Sequence, residues 1–236
     1  PGKALLDFRN LHLSDLNADV KNLRVRGDST VLEINDVRFG ESKGFHVRSM
    51  KSDLTLARKE ILFGDLFMNL DSSIINAGQV LLSGHESEGF RNFNENVRLD
   101  IRLEKSLVSA SDLRYFLAAA GGLNEAVELS GKISGTVSDL NGRRIRVSFR
   151  DHTELSCDFD MSGLPDLKET FIHISIGNLK TNASDLELIR RNGKALNLPD
   201  IAGKLGNIVF EGSFTGFTTD FVTYGRIETD AGTLKT

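Results

Sequence analysis

The side chains able to do chemistry are few in this 236-residue chain, and their spacing argues against most catalytic schemes. Five histidines, His12, His46, His85, His152 and His173, stand far apart, with no His-x-His or HExxH spacing that would set two imidazoles on one metal ion. His152 has Asp151 and Glu154 beside it, a grouping an acid–base site could use but a solvated hairpin tip explains more simply. Asp158 and Asp160 alternate along one strand and share its polar face with Arg144 and Arg146, so cross-strand ion pairing accounts for them before a carboxylate dyad does. Cys157, the single cysteine, falls on the apolar parity of that strand as a small buried hydrophobe, which leaves no disulfide framework and no cysteine-rich metal site. No G-x-S-x-G, Walker A or strand-borne G-x-G-x-x-G occurs. The reading is therefore a non-enzyme with no catalytic residue, no metal and no cofactor. A net charge of −4 gives no electrostatic case for a nucleic-acid partner.

The elements carrying these residues read as short strands. Twenty-two glycines, three prolines and many Ser, Thr, Asn and Asp residues suit frequent turns, and no apolar run is long enough to span a bilayer as a helix. The clearest stretch is 127–163, three strands in which apolar and polar residues alternate with period two, so each strand has one apolar and one wet face. Asn141-Gly142 is read as a type I′ hairpin turn between the first two strands, and Gly131 and Gly135 as bend points. A parity slip near Asn35-Asp36 suggests a β-bulge, and 4–30 suggests two short strands broken near Ser14-Asp15. Ser109 and Asp112 stand at capping-box spacing before a short helix near 111–120, ended by Gly121-Gly122. Ser184 and Glu187 do the same for a helix near 184–192, with Gly193 as its C′ residue; such helices would plug or cap the ends of a sheet. Strict identity repeats are not seen; what recurs is strand, polar turn, strand. The chain opens at Pro1-Gly2 and stops mid-pattern at Thr236, as a piece of something longer would.

Several stretches resemble a known family. SLVSASDLRYFL, LSGKISGTVSDLNG, SGLPDLKETFIHISIGNLKTNASDLELI and LGNIVFEGSFTGFTTDFVTYGRIETDAGTLKT are similar to the Bacteroidetes-type TamB proteins, translocation and assembly module proteins of the AsmA-like superfamily. The earlier ESKGFHVRSMKSDLTLARKEILFGDLFMNLDSS resembles the family's run of short strands. The resemblance is densest over 106–236 and rests on glycine, aromatic and turn patterns. It implies an all-β fold, an antiparallel meander curled into a β-taco-like groove with one or two short capping helices. The stretches 1–105 and 106–236 would be successive segments of one continuous groove. The resemblance further implies an internal, periplasmic segment of a long protein anchored in the inner membrane, with phospholipid acyl chains as cargo. It also implies a BamA-like outer-membrane protein as a partner, met through regions outside this sequence.

On that reading the lining comes from the apolar parity: Leu99 and Ile101; Ile133 and Val137; Ile145, Val147 and Phe149; Leu155, Phe159 and Met161; Ile172 and Ile174; Ile208, Phe210 and Phe214. One-sided strands suit a closed β-sandwich as well as an open groove, because alternation does not say what lies opposite the apolar face. An assembly scaffold, offering strand edges to client outer-membrane proteins, is the alternative function.

Overall fold

Alternation translates into strands along nearly the whole chain. The computed structural model describes residues 12–85, 89–116, 125–188, 190–191, 194–195 and 204–235. The order is β1 (Leu13–Arg26), β2 (Ser29–Glu41), β3 (His46–Leu56), β4 (Glu60–Leu70), β5 (Ile74–Ser83), α1 (Phe93–Asn96), β6 (Arg98–Ser109), α2 (Ala110–Leu113), β7 (Ala126–Gly135), β8 (Asp139–Phe149), β9 (Thr153–Ser162) and β10 (Phe171–Asn182). There follow α3 (Ala183–Leu188), the two-residue strands β11 (Arg190–Arg191) and β12 (Lys194–Ala195), then β13 (Asn207–Gly216), β14 (Phe221–Thr229) and β15 (Gly232–Lys235). Thirteen strands form one antiparallel sheet in the order β1 to β10, then β13, β14 and β15; β11 and β12 pair separately. Within the sheet neighbours follow chain order, with β13 joining β10 past the separate β11–β12 pair, and the sheet is an open, curled meander that does not close into a barrel. Position 105 lies inside β6, so one sheet runs through both halves of the chain.

The curl has a local cause. Every neighbouring pair from β1 to β13 except β4–β5 carries a register shift, and from β2 onward the shifts stack near mid-strand. A β-bulge bends its strand and increases its twist, so a stacked row of bulges creases the sheet across its strands. Asp65 (φ 46°) and Arg144 (φ 54°) take left-handed backbone at this crease, and Gly131 (φ 141°) supplies the same freedom on β7. The bulge suggested near Asn35-Asp36 is present between Ile34 and Val37. β1 runs through Ser14-Asp15 with bulges at Asp15 and Asn22, so no break falls there; the strand expected before it, at 4–11, lies outside the described residues.

Three readings are corrected. Asn141-Gly142 is not a hairpin turn: both residues lie inside β8, and the turn is 136–138. Gly142 is there because the Phe159 ring of β9 occupies the space a Cβ would need. The second helix is α3, capped by Asn182, whose Oδ1 accepts from the Asp185 amide at 2.8 Å, so the cap lies two residues before Ser184. α3 ends at Leu188, and Gly193 lies outside the described residues. The first helix starts as expected at Ser109, which caps it by accepting from the Ser111 amide, but α2 ends after one turn at Leu113; 117–120 and Gly121-Gly122 lie outside the described residues.

The structure also reveals a duplication. Ser109-Ala110-Ser111-Asp112-Leu113 returns as Asn182-Ala183-Ser184-Asp185-Leu186, 73 positions later. The register shift between Leu103 and Ser106 on β6 recurs between Ile176 and Leu179 on β10, at that same spacing. Each helix aspartate reaches back to the turn before the preceding strand pair. Asp112 Oδ2 accepts from the Ser72 amide at 2.9 Å, and Asp185 Oδ2 from the His152 amide at 3.1 Å and the Thr153 hydroxyl at 2.8 Å. Asp71-Ser72-Ser73 and Asp151-His152-Thr153 are thus equivalent turns. After the helix, Gly131-Lys-Ile-Ser-Gly135 of β7 matches Gly212-Ser-Phe-Thr-Gly216 of β13. The unit is four strands and a helix: β4–β5–β6–α2–β7, then β8–β9–β10–α3–β13. Asp185 is 4% exposed, and Asp185→Ala removes the acceptor shared by the His152 amide and the Thr153 hydroxyl. A loss of about 2 kcal/mol in urea unfolding is expected, with Asp185→Asn losing less because an acceptor remains.

Candidate functional site: an apolar trough

Residues directly opposite in antiparallel strands project on the same face, so the register defines rungs across the sheet. One rung runs Leu32–Leu54–Phe63–Val80–Ile101–Ile133–Gly142–Phe159–Ile174–Phe214 from β2 to β13. The next runs Leu56–Ile61–Leu82–Leu99–Gly135–Leu140–Met161–Ile172–Gly216–Phe221 from β3 to β14. Beyond the crease, Leu129–Val147–Leu155–Leu179–Phe210–Ile227–Leu234 continue the face to β15. No charged side chain interrupts these three rungs.

Among the described residues, no second protein layer fills the face. Every apolar side chain on the first rung is only partly buried, where a sandwich core would close each off from solvent. The opposite face is polar, carrying Lys132–Asp100 at 3.1 Å, Lys105–Glu128 at 2.9 Å and Arg143–Asp160 at 2.5 Å. The crease moves the expected pairing by one residue. Asp160 pairs with Arg143 rather than Arg144 or Arg146, while Asp158 accepts from the Arg144 backbone amide at 2.6 Å.

Of the residues expected on the apolar parity, Ile101, Ile133, Phe159, Ile174 and Phe214 lie on the first rung. Leu99, Met161 and Ile172 lie on the second, and Val147, Leu155 and Phe210 on the third. Ile145 faces the same way at the crease, opposite Cys157. Phe149 and Ile208 stand at the rim, paired with Thr153 and Thr181. Val137 is the exception: it sits in the 136–138 turn and belongs to no rung. The alternation missed the face's first half, including Leu32, Leu54, Phe63 and Val80, because bulges on β2 to β5 change the parity within each strand.

Cys157 lies on this face between Ile145 and Ile176. Burial, and secondarily the Asp158 charge, push its thiol above the usual range, so it stays protonated at neutral pH. His152 sits at a hairpin tip with its amide on Asp185. Among the described residues no three His, Cys, Asp or Glu side chains gather where a metal could bind, and no helix is long and apolar enough to cross a membrane.

Protein covers the trough at one rim. Val47 and Leu70 pair on the apolar face of β3 and β4, and Tyr115, just after α2, packs against them with Phe45. Phe39, Met50, Met68 and Ile75 border the cluster. Tyr115 is 3% exposed, and its hydroxyl donates to the Gly44 carbonyl at 2.6 Å, fastening the α2 segment to the β2–β3 turn. The Phe45 ring meets Tyr115 and Phe116 edge-on, with centroids 5.6 and 5.4 Å apart.

Compared with known protein families, curated proteins and solved structures, the chain matches none.

Proposed function

We propose that the trough carries phospholipid acyl chains, as one periplasmic segment of an inner-membrane-anchored protein that bridges to the outer membrane and contributes to outer-membrane biogenesis. The carrying observation is the rung from Leu32 to Phe214: continuous, apolar, uncharged and left partly exposed by the protein itself. An exposed apolar surface of that extent marks a place where something apolar binds. Each methylene buried is worth about 0.8 kcal/mol, so a trough running across ten strands lowers the barrier for a lipid leaving a bilayer without any covalent chemistry. The polar outer face and the rims leave head groups in water.

Native mass spectrometry of the purified chain tests the reading. Co-purifying phospholipid, released when the protein is unfolded, is the expected result. A lipid-free protein that also takes none from vesicles overturns it. If client outer-membrane strands crosslink to the trough instead, the scaffold reading replaces it.

A further inference from the structure

We infer that β1 is an edge for self-association: two copies of this chain pair antiparallel through Leu13–Arg26, about a twofold axis at Val20. The inference is independent of what the trough carries. Among the described residues β1 bonds β2 on one side and no strand on the other, so its outer N–H and C=O groups are an open template for a further strand. All fourteen of its residues are exposed, among them Leu16, Val20, Leu23 and Val25. Val20 and Val25 pair with Ile34 and Thr30 of β2, which puts them on the trough face. The opposite edge, β15, is four residues long and offers a far shorter template.

The order of charges along β1 selects the partner. The acids Asp15 and Asp19 stand in its first half, the bases Lys21, Arg24 and Arg26 in its second. None of the five is in an ion pair among the described residues; Asp19 accepts one hydrogen bond, from the Asn35 side chain at 3.2 Å. With Val20 opposite the partner's Val20, Asp19 faces the partner's Lys21. Asn22, left-handed at φ 54°, is already the extra residue against β2, between Lys21 and Arg24. As the extra residue here too, it sets Ala18 against Leu23, Asn17 against Arg24 and Leu16 against Val25, and brings Asp15 beside Arg26. Apolar residues then meet apolar ones on the trough face, and each acid meets a base on the other. Moving the axis to Asp19 or Lys21 sets like charges opposite each other, and a one-residue slip sets Val20 against Lys21. A parallel copy in register aligns acid with acid. The twofold axis keeps both apolar faces on the same side, so the trough continues from one copy into the other.

Sedimentation of the full chain without lipid tests this, and a dimer in the micromolar range is the expected result. Asp19→Lys alone, or Lys21→Glu alone, sets two like-charged pairs across the axis and should raise the dimer Kd about tenfold. The two changes together restore opposite charges at the same net charge as wild type, and should return the Kd to within about twofold of it. In a Cys157→Ala background, Val20→Cys should oxidise to a disulfide-linked dimer, because the axis brings the two sulfurs together. Val25→Cys, also exposed on the same face, should not. A chain that stays monomeric throughout the micromolar range overturns the inference, as does a double variant no better than the singles. A wild-type dimer in which Val20→Cys stays reduced places the contact elsewhere and also overturns it. So does a photo-crosslinker at Val20 that reacts with residues 1–11 of its own chain, since that segment then holds the edge. Each of these failures leaves the trough reading standing, because no lipid takes part.

Discussion

Phe159→Asp should reduce phospholipid bound to the purified chain about thirtyfold, while Arg146→Ala leaves it unchanged. Phe159 is on the first rung, between Gly142 and Ile174, and its ring lies over Gly142. Removing the ring forfeits about 2 kcal/mol of apolar contact with a chain passing over it, and a carboxylate in its place must be desolvated whenever a lipid crosses. Arg146 has the opposite parity, between Ser130 and Ser156, and is exposed. Lipid measured by mass spectrometry after gel filtration gives the comparison. Equal losses from the two variants would mean that the apolar face has no particular part in binding.

The largest stability effect is expected at Gly135. Its φ of 108° is a conformation that side chains rarely adopt, and a Cβ there would overlap the Asp139 carbonyl oxygen at the start of β8. Backbone cannot yield as a flexible side chain does, so Gly135→Ala should cost about 3 kcal/mol or more. Gly27 is the control. Its φ of 60° is also left-handed, but nothing lies within 4 Å of the added Cβ, so Gly27→Ala should cost only about 1 kcal/mol. Urea midpoints compared at equal slope give both numbers. Gly216→Ala, the duplicate position facing the Asp220 carbonyl oxygen, should behave like Gly135→Ala.

How far the sequence foretold the structure differs by element. β14 was legible to the residue at Phe221–Thr229, a run rich in aromatic and β-branched residues between two turns. Alternation failed on β4. There Asp65 shifts the parity between Phe63 and Leu66, so the alternation breaks while the face does not. Asn141-Gly142 misled because a turn-forming pair is also what a strand uses when a neighbour's ring needs a gap. The duplication was present in the letters as two Ala-Ser-Asp-Leu runs, and became recognisable once their aspartates were seen to hold equivalent turns. The Tyr115 cluster left no local trace. Its hydrogen bond joins residues 71 apart, and nothing near either one signals the other.

The pure meander order has a mechanical consequence. With neighbours following chain order throughout the sheet, the molecule approximates a one-dimensional chain of hairpins, able to nucleate anywhere and to fray inward from β1 and β15. Such a chain would unfold gradually, hairpin by hairpin. What couples distant hairpins is a handful of rim bonds: Asp112 to Ser72, Tyr115 to Gly44, Asp185 to His152, and on the other rim Ser138 to Asn94. These bonds set the size of the cooperative block. Cutting them would broaden the melting transition more than it lowered the midpoint, turning a stiff gutter into a row of independently opening slats.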